Sequence, residues 1–214
     1  MKIALIGGTG FVGTSVLAEL LSRGHEVTLL ARTPSKVAAQ AGLVVVLADV
    51  LDATQVAQTV AGQDAVVSAY NPGWGEAQIH DLFLQGTQAI FSGIKQAGIK
   101  RLLVVGGAGS LFVAPGVQLV DTPGFPAEYQ QGALAAREAL NLIKKEDTLE
   151  WTFLSPPIAL APGERSGSYR LGADNLLSGV ADAPAGISVQ DLAVAIVDEL
   201  ETPRHIQKRF TVAN

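Results

Sequence analysis

Short, almost uninterrupted apolar runs recur along the first two thirds of the chain. Examples are Ile3-Ala4-Leu5-Ile6, Leu43-Val44-Val45-Val46-Leu47 and Leu102-Leu103-Val104-Val105. Between them lie segments whose apolar residues recur at helical spacing. The pattern predicts strands near 2–7, 26–31, 43–48, 64–69, 101–106 and 150–155, and helices near 11–23, 34–40, 53–60, 77–97 and 127–146. Strands apolar at every position suit a sheet covered on both faces. Strict alternation of strand and helix implies right-handed crossovers in a parallel sheet of order 3-2-1-4-5-6. The expected fold is therefore α/β, a Rossmann-type doubly wound parallel sheet within one domain spanning 1–214.

In the helix at 77–97, Ile79, Leu82, Phe83, Gly86, Ile90 and Ile94 form one stripe, which turns His80 and Gln85 outward as solvated side chains. Beyond Pro156 the alternation stops. Residues 156–187, rich in Gly and Pro, read as a substrate-side lobe of loops and short strands over the sheet. Ser188 then suits the N-cap of a last helix, with Asp191 as its capping-box partner and Val189, Leu192, Ala193, Ile196 and Leu200 as the buried stripe. Arg209-Phe210-Thr211-Val212 closes the chain as an edge strand.

Composition narrows the class further. Hydrophobic residues make up 48% and charged residues 16% of 214, and the net charge is −5, which argues against binding along a nucleic-acid backbone. There is no cysteine, so thiolate chemistry and disulfides are excluded, and no acidic pair has metal-ligand spacing, so no metal is expected. The apolar stretch from Leu102 to Val120 is broken by Gly106, Gly107, Gly109, Pro115 and Gly116, which fits a strand and loop better than a membrane span. The N-terminus enters a strand at once with no signal-peptide pattern, and a cytoplasmic location is expected.

Directly after the first strand the chain reads Gly7-Gly8-Thr9-Gly10-Phe11-Val12-Gly13. Glycine at 7 permits a tight turn, at 10 lets the backbone approach a pyrophosphate, and at 13 packs the new helix on the strand. The free N–H groups and positive dipole end of that helix suit phosphate oxygens. Gly7, Thr9, Gly10, Phe11 and Val12 are thus candidate dinucleotide contacts. Where an acid would select NAD at the end of the second strand, Arg32 stands, followed by Thr33, Ser35 and Lys36. A guanidinium there suits a 2′-phosphate, so NADP(H) is preferred over NAD(H); a solvated arginine at a strand end is the alternative. Asp49 is placed for the adenine amino group and Val50 for the ring face; the alternative for Asp49 is the N-cap of the next helix, a role Asp52 equally fits.

The nicotinamide and its acceptor belong beyond the carboxyl ends of the strands. The candidates are Ala69 and Tyr70 after strand four, Gly107 and Ser110 after strand five, and Ser155 and Pro156 after strand six. Ser110 is the expected hydrogen-bonding and catalytic group, with a turn hydroxyl as the plainer reading. Trp74, in Gly73-Trp74-Gly75, either stacks on a planar substrate or anchors its loop. Arg165 and Arg170 either meet a phosphate or tie the lobe down by ion pairs, the latter preferred.

The chain resembles the atypical short-chain dehydrogenase/reductase group (NmrA-like, NAD(P)H-binding), and within it the small NADH-flavin reductases related to biliverdin reductase B. The carriers, besides residues 6–13, are Arg101 to Leu111, Trp151-Thr152-Phe153-Leu154-Ser155-Pro156, Pro162-Gly163-Glu164-Arg165 and Tyr169-Arg170-Leu171-Gly172. The resemblance implies reduction of a flavin (FMN, FAD or riboflavin, as substrate rather than prosthetic group) or a similar planar acceptor by a nicotinamide cofactor. The larger family pairs a tyrosine with a lysine one helical turn on. Here Tyr129 is followed by Ala133, and Tyr129 shares a helical face with Ala136, Leu140 and Ile143, which reads as packing beside a substrate-binding role. Flavin reductases of this type that place a histidine after the double proline are matched here by Ile158. Three functions follow: an NAD(P)H-dependent reductase of a small planar acceptor, a non-catalytic NADP(H) sensor, and an epimerase or carbonyl reductase with a substitute acid. A monomer or homodimer suits each.

Overall fold

Alternation of strand and helix builds a main sheet that is mostly parallel. The computed structural model describes residues 1–179 and 184–214. In chain order its elements are β1 (Lys2–Ile6), α1 (Phe11–Ser22), β2 (Glu26–Ala31), β3 (Leu43–Leu47), α2 (Ala53–Val60), β4 (Ala65–Ser68), α3 (Ile79–Gln96) and β5 (Arg101–Val105). Then follow β6 (Phe112–Ala114), β7 (Val117–Gln118), α4 (Ala127–Ile143), β8 (Glu150–Ser155), β9 (Ala159–Ala161), β10 (Arg170–Gly172), β11 (Gly186–Ser188), α5 (Val189–Glu201) and β12 (Lys208–Ala213). The main sheet runs β10-β12-β8-β5-β4-β1-β2-β3, all parallel except β10, which pairs antiparallel with β12. This is the doubly wound α/β fold, and it contains the expected 3-2-1-4-5-6 order.

Side chains alternate between two cores because successive strand residues face opposite sides. Ile3 and Leu5 of β1 join Leu17, Leu20, Leu192 and Ile196 under α1 and α5. Ala4 and Ile6 join Val56, Ile90, Ile94, Leu140 and Ile143 under α2, α3 and α4. Five stripe positions of the last helix are buried as expected, and Ser188 Oγ accepts the Asp191 N–H at 2.9 Å as N-cap. The capping box itself does not form. The Asp191 carboxylate instead accepts from Ser166 Oγ, the Gly167 N–H and Asn214 Nδ2, fixing the loop before β10.

Three expectations are corrected. The helix at 34–40 reduces to a 3-10 turn at Pro34–Lys36, because the segment has no apolar stripe to bury. β12 is not an edge strand: it lies between β8 and β10. Segment 156–187 is accordingly more than a lobe over the sheet, since it supplies the edge strand β10. His80 lies at the surface as expected, partly exposed, with Nδ1 3.0 Å from Asp81 and Nε2 3.7 Å from Glu138.

Candidate functional site

The glycine loop is held by close backbone contacts. Gly7 takes a positive φ of 79°, and a Cβ there would overlap the carbonyl oxygen of Ala69, so the tips of β1 and β4 touch main chain to main chain. A Cβ on Gly13 would overlap the Gly7 carbonyl, which seats α1 on the loop. Gly8, whose role the sequence left unassigned, sits against Leu5 and Leu29. Gly10 differs: a Cβ would meet only the Gly7 oxygen, at 3.3 Å, and the rest of its surroundings are open. Gly10 is the N-cap of α1 and gives no side-chain bond to the first turn. Thr9 and Phe11 are exposed beside it and Val12 is half-buried. A cradle open at Gly10, backed by uncapped helix N–H groups, fits a pyrophosphate.

The residues expected at an adenosine end lie at the strand termini on the other side of β1. Arg32 is exposed and makes no ion pair among the described residues. Asp52 caps α2, its carboxylate accepting from the Thr54 and Gln55 N–H groups, which leaves Asp49 outside that role. Asp49 is exposed, with Oδ1 accepting the Leu51 N–H at 3.0 Å, and Val50 is half-buried against the core.

Past β4 the chain passes Ala69 to Tyr70, whose ring fills the space left by Gly86 of α3. The Tyr70 hydroxyl donates to the Leu82 carbonyl at 3.0 Å, and burial, the largest influence, pushes its pKa up to about 12. Tyr70 is thus protonated at neutral pH, with its hydroxyl engaged by the Leu82 carbonyl. Trp74 is 55% exposed and meets Tyr129 edge to face, with centroids 5.2 Å apart and planes at 86°. Its ring lies over Gly132, where a Cβ would strike it. Tyr129 is 45% exposed, so the packing role read from its helical face is corrected; Ala133, one turn on, is buried. Gly132 was missed and Gly86 was read only as a member of the α3 stripe, yet glycine within a helical pattern is costly and signals a close neighbour.

The β5 and β8 ends complete the rim. A Cβ on Gly106 would run into Phe153, whereas at Gly107 it would find only Ala136, at 3.9 Å. Ser155 is fully buried at the end of β8, and its Oγ has no hydrogen-bond partner; Pro156 beside it is buried too. An orphaned buried hydroxyl at the strand ends is the kind of group a bound ligand or water satisfies. Ser110 is corrected as the catalytic candidate. It is 2% exposed, and both its carbonyl and Oγ accept from Arg209 Nη1, at 3.1 and 3.2 Å, while Arg209 also pairs with Asp174. Ser110 therefore fastens the loop after β5 to β12 and the lobe. Arg165 chelates Glu19 of α1, at 2.7 Å from each oxygen, and Arg170 donates to the Asn214 and Ser178 carbonyls. Neither is directed to a phosphate.

Fold and loop together define a nucleotide-binding protein of Rossmann type. The chain belongs to the NAD(P)H-binding family, whose model matches residues 7–203. It is 42% identical to the uncharacterized Bacillus subtilis protein YwnB, over 100% of this chain and 99% of that one. A solved structure from Bacteroides thetaiotaomicron, named a "putative epimerase", is 43% identical with a TM-score of 0.92, covering 99% of this chain and 96% of that one. One from Streptococcus pneumoniae, named a "putative NADH-flavin reductase", is 32% identical with a TM-score of 0.85, covering 100% and 99%. Among the described residues no cluster of His, Cys, Asp or Glu is arranged for a metal, and no helix is long and apolar enough to cross a membrane.

Proposed function

We propose that the protein is an NADPH-dependent reductase of a planar acceptor of the flavin or quinone type, held transiently at the carboxyl rim of the sheet. The single observation that carries this reading is the exposed Trp74–Tyr129 pair, 5.2 Å apart, beside a tyrosine that has no lysine partner. Residues 7–13 would hold the pyrophosphate, Arg32 the 2′-phosphate, and Asp49 and Val50 the adenine. When bound, a reduced nicotinamide supplies a hydride. Gly107, where an added Cβ would touch only Ala136 at 3.9 Å, leaves room for a flat ring, and the aromatic pair offers a face and an edge against which an acceptor can stack.

The absent proton relay favours this chemistry over its rivals. Carbonyl reduction and epimerisation need a side chain to move a proton to or from oxygen or carbon. Ala133 stands one turn after Tyr129, Ile158 follows the double proline, and the Tyr70 hydroxyl proton is committed to the Leu82 carbonyl, so none of them supplies it. A flavin or quinone needs one hydride and one proton, and water at an open rim can deliver the proton. Orientation of two stacked rings is then the protein's main contribution, which in favourable cases is worth about 7–11 kcal/mol. The test is NADPH oxidation followed with riboflavin, FMN and a neutral quinone. Turnover that Trp74→Ala lowers at least about tenfold supports the reading; nucleotide binding with no turnover of any acceptor would favour the sensor role instead.

A further inference from the structure

Basic groups are distributed unevenly around the sheet. Parallel strands begin, and crossover helices end, at the edge opposite the rim. Lys2, Lys100 and Lys208 stand at or beside strand starts, and Lys95, Lys144 and Lys145 at the ends of α3 and α4, so all six lie at that far edge. Arg101 is buried there against Glu199, Arg23 pairs there with Glu19, Asp198 and Glu201, and Arg204 precedes β12 at the same edge. At the rim, Arg32 and Lys36 are exposed at the adenosine end.

The acceptor end is different. Arg137 lies on Asp121, at 2.9 and 2.8 Å from its two oxygens, and on Gln118 Oε1 at 3.1 Å. Arg209 is buried on Asp174 and Ser110, and Arg170 is spent on main-chain carbonyls, while Arg165 is chelated by Glu19 toward the far edge. Two exposed carboxylates stand next to the aromatic pair in the chain instead: Glu76, two residues past Trp74, and Glu128, directly before Tyr129. Neither makes an ion pair among the described residues.

We infer that the acceptor is an uncharged planar ring, a riboflavin-like isoalloxazine or a neutral quinone, and that phosphorylated flavins are rejected on charge. The inference rests on the reading of this rim as an acceptor site. A phosphate monoester carries about −1.5 to −2 charges near neutral pH. Bringing it beside Glu76 and Glu128 with no cation to meet it costs desolvation and repulsion together. The same field that repels it leaves a neutral ring unaffected. The nucleotide's own phosphates escape this penalty because they lie at the loop and at Arg32, on the other side of β1.

The experiment compares riboflavin, FMN and a neutral quinone as acceptors with NADPH, at low and at high salt. In parallel, quenching of flavin fluorescence is titrated on the NADP⁺-loaded protein, so that binding is read independently of turnover. The expected result is kcat/KM for FMN at least about tenfold below riboflavin at low salt, with the gap narrowing as salt screens the repulsion. The double variant Glu76→Lys with Glu128→Lys should raise FMN binding and turnover relative to riboflavin. Equal or better use of FMN at low salt, or a ratio that salt and the double variant leave unmoved, overturns the inference while leaving the reductase reading intact. If NADP⁺ binds but neither flavin nor quinone binds or is reduced, the acceptor site itself is wrong and both fall.

Discussion

Arg165 of the segment before β10 clasps Glu19 of α1 with two contacts of 2.7 Å, and Arg23 Nε takes one of the same carboxylate oxygens, also at 2.7 Å. Glu19 is buried, so this carboxylate ties the lobe to the helix that begins at the glycine loop. Hydrogen bonding from Arg165 is the largest influence on its pKa and, with Arg23, holds it below the ordinary 4.5. A depressed native pKa means the contribution is complete above the unfolded value of about 4.5 and is lost as acid passes through the lower native one. Glu19→Gln should therefore destabilise the protein near neutral pH, by about 1–3 kcal/mol. Urea unfolding from neutral pH down to about pH 3 should show the difference between wild type and variant constant at neutral pH and shrinking once the pH falls below about 4.5.

Glycines of one loop separate by what surrounds them. Gly13→Ala drives a methyl into the Gly7 carbonyl and should lower stability together with nucleotide binding. At Gly10 a methyl meets only that oxygen, at 3.3 Å, and otherwise projects into the open cradle. Gly10→Ala should keep the melting temperature within a few degrees yet weaken NADPH by at least about tenfold, or about 1.4 kcal/mol. Calorimetric titration alongside thermal unfolding checks both. Equal loss of binding and stability in the two variants would contradict the assignment of Gly10 to the pyrophosphate.

Six parallel strands were legible because a strand buried on both faces must be apolar throughout, as Leu43 to Leu47 and Leu102 to Val105 are. Their order followed from the crossovers. Position of the last strand did not follow, because its partner β10 is three residues long and lies in a Gly- and Pro-rich stretch without any periodicity. Residues 34–40 carry the helix signals of Pro34 and two alanines but lack a stripe to bury, and tertiary packing overrode propensity. At the site, the glycine loop is a local pattern and was readable. Ser110 was not, since its fate depends on Arg209, 99 residues away, and sequence shows a loop hydroxyl identically whether it is free or committed. Trp74 and Tyr129 were each noticed, but their meeting is a tertiary fact that only Gly132 hinted at.

Arg32 sets the next expectation. It is exposed, unpaired among the described residues, and stands where β2 ends beside the loop. A guanidinium that meets a 2′-phosphate contributes only to NADPH, because NADH has a hydroxyl there. Arg32→Ala should raise the Kd for NADPH at least about tenfold and change that for NADH little. The salt dependence of NADPH binding should flatten at the same time. Equal effects on both nucleotides would mean that Arg32 stacks on the adenine instead.

Tyr70 and Gly86 form a lock whose two halves can be tested apart. The phenol ring occupies the space where a Gly86 side chain would be, and its hydroxyl donates to Leu82. Because burial raises the Tyr70 pKa to about 12, it stays protonated throughout the physiological range, and that proton is donated to the Leu82 carbonyl. Tyr70→Phe keeps the ring and loses one hydrogen bond, so stability should fall by about 1 kcal/mol with turnover largely retained. Gly86→Ala forces the ring out of its seat and should move the chain just after Ala69, whose carbonyl lies against Gly7. Nucleotide binding and turnover should then both drop, with the pH profile of the residual activity unchanged. A Tyr70→Phe variant that lost activity while remaining folded would instead identify the hydroxyl as a reacting group.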